Sequence, residues 1–266
     1  MEVFIEAGGT KTEVCWKQDN SVERFMFDGI HPAAPKHIVV ATLNQIKSAL
    51  GEEVSSLHYY GTGVEVASFL SVLKDTLDSL FPASTVHIYS DLFVLVHAAR
   101  KQGVESGAAA IFGTGSNFCV FNNAEVSQPF PALGYIMGDE GAGVNLGRIL
   151  IQQWSRGLLS PETNSYLSAK LSSPKFQVSE IYGAEKPNKE LASLVKKIDW
   201  TNSPELQGLV DLNFRSFFKS HQSGLVSPII CTGGIATTFA SNLKKIGGEF
   251  NCEIVIIPRC LDVLLA

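Results

Sequence analysis

AAAIFGTGSNFCVF, residues 108–121, sets two apolar runs of strand character on either side of a turn made of Gly113, Thr114, Gly115, Ser116 and Asn117. Glycines and short polar side chains in a turn expose backbone N–H groups rather than a packed surface. Converging N–H groups and hydroxyls suit a phosphate. One such turn reads as well as a plain hairpin. Near the start of the chain, VFIEAGGTKTEVCW (residues 3–16) repeats the pattern: strand, then Gly8-Gly9-Thr10-Lys11-Thr12, then strand. Two copies about a hundred residues apart point to a chain built of two similar halves that grip one polyphosphate from both sides.

Outward from these turns, strands alternate with helices. SVERFMFDG extends the first sheet, and PKHIVVATLNQIKSALG has apolar residues at helical spacing and is expected to end at Gly51. A strand in SSLHYYGTGV, a helix in VASFLSVLKDTLDSLF stopped by Pro82, a strand in TVHIYS and a helix from Asp91 to Gly103 complete the first half. After the second glycine turn come a polar link, the Gly-rich segment GYIMGDEGAGVNLGRILIQQW and several helices, including 189–200 and 205–221. A strand in SPIICTGGIA, a helix in TTFASNLKKIG and a last strand in CEIVIIP follow, and PRCLDVLLA reads as the start of a final helix. The pattern predicts an α/β protein of two lobes, 1–106 and 107–266, with the ligand in the cleft between them.

Composition narrows the function classes. At 266 residues with 45% hydrophobic and 18% charged content the chain is an ordinary globular one. A formal net charge of −5 provides no electrostatic footprint for nucleic acid or an acidic membrane surface, so a small-molecule partner is expected. Cys15, Cys119, Cys231, Cys252 and Cys260 form no C-x-x-C pair and mostly sit in apolar runs, as in a reducing compartment. MEVFIEAGG has no basic region of the kind that opens a secretory signal, and no apolar run is long enough for a spanning helix. A cytoplasmic protein is the expectation.

At these residues the chain resembles a known family. The two glycine turns look like the two phosphate loops of the actin, hexokinase and heat-shock ATPase superfamily. Within it, the sequence is similar to the N-acetylglucosamine kinase branch, which shares a family with the BadF/BadG-type ATPases. YYGTGV, SDLFVLVHAAR, GYIMGDEGAG, IYGAEKPNKELASLVKKI and CTGGIATTF carry the likeness in order over nearly the whole chain, and GTGSN followed by MGDEG is its most specific element. The resemblance implies two ribonuclease H-like α/β lobes around a nucleotide and sugar cleft, and a homodimer. It implies an ATP-dependent, Mg²⁺-assisted kinase that phosphorylates an amino sugar, N-acetylglucosamine or a close relative, at the 6-hydroxyl.

The resemblance also distributes roles. Asp91, which by sequence alone reads as a helix N-cap, falls where the family has its catalytic aspartate, able to accept the proton of the attacking hydroxyl. Gly8, Gly9, Thr10, Lys11, Thr12, Gly113, Thr114 and Gly115 are expected at the ATP phosphates, with Gly233 and Gly234 on the adenosine side. Glu6 stands where most of the superfamily has an aspartate that holds Mg²⁺ through water, and the longer carboxylate can still join a magnesium hydration shell. Ser116, Asn117, Gly134, Asp139 and His31 are expected at the sugar, where carboxylate and carboxamide groups fix the direction of vicinal hydroxyls. Two departures bear on that sugar. Ala132-Leu133-Gly134 stands where relatives often have Gly-Trp-Gly, and His31-Pro32 where they commonly have Asn-Pro. Two alternatives stand beside the kinase. One is a BadF-like ATPase, which would need a cysteine-held iron–sulfur cluster, and the other is a non-catalytic sensor of sugar or nucleotide.

Overall fold

The computed structural model describes residues 1–18, 21–50, 54–123 and 125–266, so Gly51, the expected end of the first helix, lies outside the described residues. The chain divides into two units, Met1–Val104 with Arg259–Ala266, and Glu105–Pro258.

In the first unit the chain runs β1 (Glu2–Ala7), β2 (Lys11–Gln18), β3 (Ser21–Asp28), α1 (Lys36–Leu50), β4 (Ser56–Gly61), α2 (Ala67–Leu80), β5 (Thr85–Ser90) and α3 (Asp91–Lys101). The five strands make one sheet in the order β3-β2-β1-β4-β5. β1 pairs antiparallel with β2 and parallel with β4, with Glu6 opposite Glu13 on one side and Tyr60 on the other. Val3, Ile5, Ala7, Leu57 and Tyr59 bury one face of the sheet against Val39, Leu43 and Ile46 of α1 and Phe69, Leu73 and Leu77 of α2. The three- and four-residue spacing of those helical residues is the stripe their sequences predict. α3 packs on strands β1, β4 and β5. There the rings of Tyr60, Tyr89, Phe93 and His97 meet, and the Tyr60 hydroxyl bonds to His97 Nδ1 at 3.0 Å.

In the second unit follow β6 (Ser106–Phe112), β7 (Ser116–Asn122), β8 (Glu125–Ser127), α4 (Gly134–Met137), α5 (Gly143–Ser155), α6 (Pro161–Leu171), α7 (Pro174–Gly183), α8 (Pro187–Lys197), α9 (Pro204–Ser220), β9 (Ile229–Thr232), α10 (Gly234–Thr238), α11 (Ala240–Glu249) and β10 (Ile254–Ile256). Its sheet has the order β10-β9-β6-β7-β8. The hairpin β6–β7 is antiparallel, and β9 joins β6 in parallel. Counted from the first strand of each sheet, the two orders are the same, so the repeated glycine motif marks a repeat of the whole sheet. Ser160, Ser173 and Ser203 each precede a proline at the first helical position and accept an N–H from the residue three further on, which starts α6, α7 and α9. α12 (Cys260–Leu265) packs on α3 of the first unit.

Three expectations change in detail. The polar link after β7 contains a short edge strand, β8, paired on one side only, where Glu-Val-Ser needs no buried face. The helix expected over 205–221 begins at Pro204, which is pre-set for a first turn. The helix expected from Thr237 is two helices, because Phe239 leaves helical backbone (φ −111°, ψ 37°) as its ring becomes buried.

Gly147 of α5 faces α8 so closely that a Cβ would lie 2.1 Å from the Leu191 carbonyl oxygen. Gly147→Ala is therefore expected to destabilise the second unit by about 1–3 kcal/mol, measured as a lower urea midpoint. In the first unit, burial, and then the charges of Arg100 and His58, lower the His97 pKa from 6.5 to about 4. The unfolded chain takes up this proton before the folded chain does, so stability should fall as pH drops from 6.5 towards 4. Melting curves against pH should lose that part of the slope in His97→Gln.

Candidate active site

The first glycine turn, Gly8 to Thr10, is closed by the Gly8 N–H donating to the Lys11 carbonyl at 2.9 Å. Thr10 and Lys11 are exposed, whereas Thr12 is fully buried and its hydroxyl donates to the Asp28 carbonyl at 2.9 Å, anchoring the base of the loop. Gly29 backs directly onto the loop. A Cβ there would stand 2.5 Å from the Gly9 carbonyl carbon and 2.6 Å from the Thr10 nitrogen. His31 lies beside Gly9, and its Nδ1 accepts the Ala33 N–H at 3.1 Å.

Below this loop is a concentration of acid. Glu6, half-buried at the end of β1, has its pKa raised to about 7, first by burial, then by Glu13 and more weakly by Asp91, against the pull of Lys11. Glu13, its cross-strand neighbour, is ion-paired with Arg24 and stands 3.6 Å from Arg259. Asp91 is the first residue of α3; the N-cap position belongs to Ser90, which makes no side-chain cap. This corrects the N-cap expectation by one residue and leaves a carboxylate in the first helical turn, where the dipole favours it. Burial, and then the field of Asp91, raises the pKa of Tyr59. Glu13 and, more weakly, Asp91 thus both bear on Glu6 within the first unit.

In the second unit the turn is tighter than the sequence suggests: Gly113, Thr114 and Gly115 form it, and Ser116 and Asn117 already belong to β7. Gly113 N–H donates to the Gly115 carbonyl at 2.9 Å. The carbonyls of Gly113 and Thr114 accept from Gly143 and Val144, the first amides of α5, at 2.9 and 3.0 Å. Asp139 reaches the same loop, accepting the Ser116 N–H at 3.0 Å, and its carboxylate fills the place where a Gly115 Cβ would sit, 2.9 Å from Oδ2. Its backbone is left-handed (φ 60°). Burial raises its pKa, opposed by the Ser116 N–H, while Glu140 adds to the rise and Arg148 offsets it.

Gly233 closes the arrangement from the side of β9. With φ 101°, it lies so near β6 that a Cβ would be 2.4 Å from the Phe112 carbonyl oxygen and 3.1 Å from the Gly113 nitrogen. Asn117 Oδ1 accepts the Phe118 N–H and Gln128 Nε2–H, both at 3.0 Å. The structure therefore brings Gly113–Gly115, Ser116, Asp139 and Gly233 together. Gly134 (φ 69°) and Gly234 have nothing within 4 Å of a would-be Cβ.

Sequence reasoning passed over Gly29, Glu13, Gln128 and Asn213. Of these, Asn213 had a signal: an amide on the apolar stripe of LVDLNFRSFF, residues 209–218, is out of place unless something holds it.

No family model matches the sequence, and no curated protein matches it. Solved structures do. The chain is similar to a proposed N-acetylglucosamine kinase from Porphyromonas gingivalis at 24% identity and a TM-score of 0.83, over 100% of this chain and 97% of that one. A second proposed N-acetylglucosamine kinase, from Chromobacterium violaceum, matches at 16% identity and TM-score 0.73, over 100% and 98%. A ROK family glucokinase from Streptomyces griseus, solved with glucose and AMPPNP, matches at 13% identity and TM-score 0.64, over 96% and 93%. The two glycine-loop sheets and their helices thus have the α/β fold of these solved structures.

Because the Asp139 carboxylate occupies the space beside Gly115, Gly115→Ala is expected to push it into water; losing the Ser116 N–H raises its pKa, but losing burial, the larger cause, lowers it, and the net change is a fall. Carboxyl NMR titration of the two proteins checks this.

Proposed function

We propose that the chain is an ATP-dependent kinase of an amino sugar, N-acetylglucosamine or a close relative, transferring the γ-phosphoryl group to the 6-hydroxyl. The observation that carries the proposal is the repeated glycine loop, one in each of two like sheets, with a carboxylate assigned to each unit's loop region: Asp91 in the first and Asp139 in the second. The kinase names of the structural neighbours support it.

In this mechanism the backbone N–H groups of Gly8–Thr12 and Gly113–Gly115 bind the ATP phosphates, with Gly233 and Gly234 towards the adenosine. Asp91 accepts the proton of the sugar hydroxyl as its oxygen attacks the γ-phosphorus and ADP leaves. Asp139 accepts a hydrogen bond from a second sugar hydroxyl through the oxygen not taken by Ser116. Ser116, Asn117, Gly134 and His31 complete the assigned sugar contacts. The donor set in the first unit fits Mg²⁺. Glu6 is a carboxylate whose pKa is raised first by burial and then by two neighbouring acids, and a hydrated cation would offset both. Bound with ATP, Mg²⁺ supplies neutralisation of the phosphate oxygens. Among the described residues no group of three His, Cys, Asp or Glu is placed to hold a metal ion.

A cluster-bearing ATPase fits less well, because all five cysteines are buried in the two cores. No helix among the described residues is long and apolar enough to cross a membrane. The cytoplasm as location and a homodimer as assembly are parts of the proposal.

The test is coupled ADP release with MgATP against hexoses and N-acetylated hexosamines. Turnover is expected to require one sugar and to fall by about a hundred- to ten-thousand-fold in Asp91→Asn, with sugar binding retained. ADP release indifferent to every sugar, or normal turnover in Asp91→Asn, would sink it.

A further inference from the structure

Asn213 is fully buried on the apolar face of α9, next in sequence to the buried Phe214 and one turn before Phe217. A carboxamide there costs about 1–3 kcal/mol for each group left without a partner. Asn213 leaves neither end unused, and all of its partners lie in one short segment. Its Oδ1 accepts the Gly141 N–H at 3.2 Å and Asn145 Nδ2–H at 2.8 Å, and its Nδ2 donates to the Ala142 carbonyl at 3.3 Å. Leucine would make none of these bonds, and aspartate has no donor for the carbonyl.

The segment it holds is strained. Asp139 (φ 60°) and Gly141 (φ 83°) are both left-handed, and for a residue with a side chain that conformation costs about 1 kcal/mol or more. Gly141 is pressed against Phe112, whose ring a Cβ would meet at 2.5 Å, and Phe112 packs edge-on to Phe214 and Phe217. The Ala142 N–H returns to the Asp139 carbonyl at 3.1 Å, so the residue that Asn213 grips by its carbonyl grips Asp139 by its amide. A continuous path of bonds runs from Asn213 through Ala142 to the backbone of Asp139, and from the Asp139 carboxylate to Ser116.

We propose that Asn213 is a positioning residue for the Asp139 carboxylate, holding the left-handed turn that aims it at the second glycine loop and at a sugar hydroxyl. The sugar part rests on the kinase proposed above. An alternative role, simple stabilisation of the core, would lower the melting temperature without altering how Asp139 works.

The experiment compares sugar KM and kcat for wild type, Asn213→Ala, Asp139→Ala and the double variant. Asn213→Ala should raise the sugar KM about tenfold or more. The double variant should be no worse than Asp139→Ala, because the effect of Asn213 passes through that carboxylate. Losses that multiply in the double variant, or a lower melting temperature with KM and kcat unchanged, overturn the proposal. Asn213→Asp keeps the acceptor but not the donor and carries the same expectation should the alanine variant fail to fold. Carboxyl NMR titration of Asp139 gives a readout free of any sugar. Its pKa should fall towards the ordinary carboxylate value in the Asn213 variants, and an unchanged titration overturns the positioning role. If wild type phosphorylates no sugar while that shift is present, the kinase reading fails and the positioning of Asp139 stands.

Discussion

The second unit depends on where two carbonyls point. Gly113 and Thr114 give theirs to the first amides of α5, so the loop's own oxygens are consumed by the helix that follows it by almost thirty residues. A helix start normally needs a side-chain cap, and Ala142 supplies none. Loop and helix therefore satisfy each other: the helix gains acceptors for otherwise orphaned donors, and the loop is fixed with its carbonyls turned inward. Gly233 approaches the preceding peptide, Phe112–Gly113, more closely than any Cβ permits.

The two loops are built differently despite the common strand order. The first closes on itself through Gly8 and Lys11 and is backed by Gly29. The second also closes on itself, through Gly113 and Gly115, and is held in addition by α5, by Gly233 and by the Asp139 side chain. The electrostatics differ correspondingly. The first unit gathers Glu6, Glu13 and Asp91, with Lys11, Arg24 and Arg259 as the cations beside Glu13. The second offers one strained carboxylate with a backbone donor.

Much of this was legible in the sequence because it is local. Glycine turns between apolar runs and helical spacing in 36–50 and 67–80 act over a few residues. The resemblance supplied the order in which such pieces occur. What stayed hidden is long-range. Parallel pairing of β6 with β9 joins residues more than a hundred apart, and nothing local at Ile229 announces it. Gly29 looks like an ordinary strand end until the backbone it touches is known. Asn213 and Gly141 are separated by 72 positions, and Gln128 sits in a stretch whose polar composition reads as a link. A short edge strand such as β8, with no buried face, leaves no periodic trace.

The last helix has a consequence for how the chain is assembled. α12 belongs to the first unit, where Lys101 donates to the Leu264 carbonyl at 2.7 Å and Arg24 bridges Glu13 and Asp262. The second unit is thus an insertion in the first. Ribosomal synthesis delivers these partners only after the whole of Glu105–Pro258 has emerged. Until then Glu13 has Arg24 but not Arg259, and the face of α3 that receives α12 stays open, leaving the half that carries Asp91 incomplete while the other half can already close around its own core.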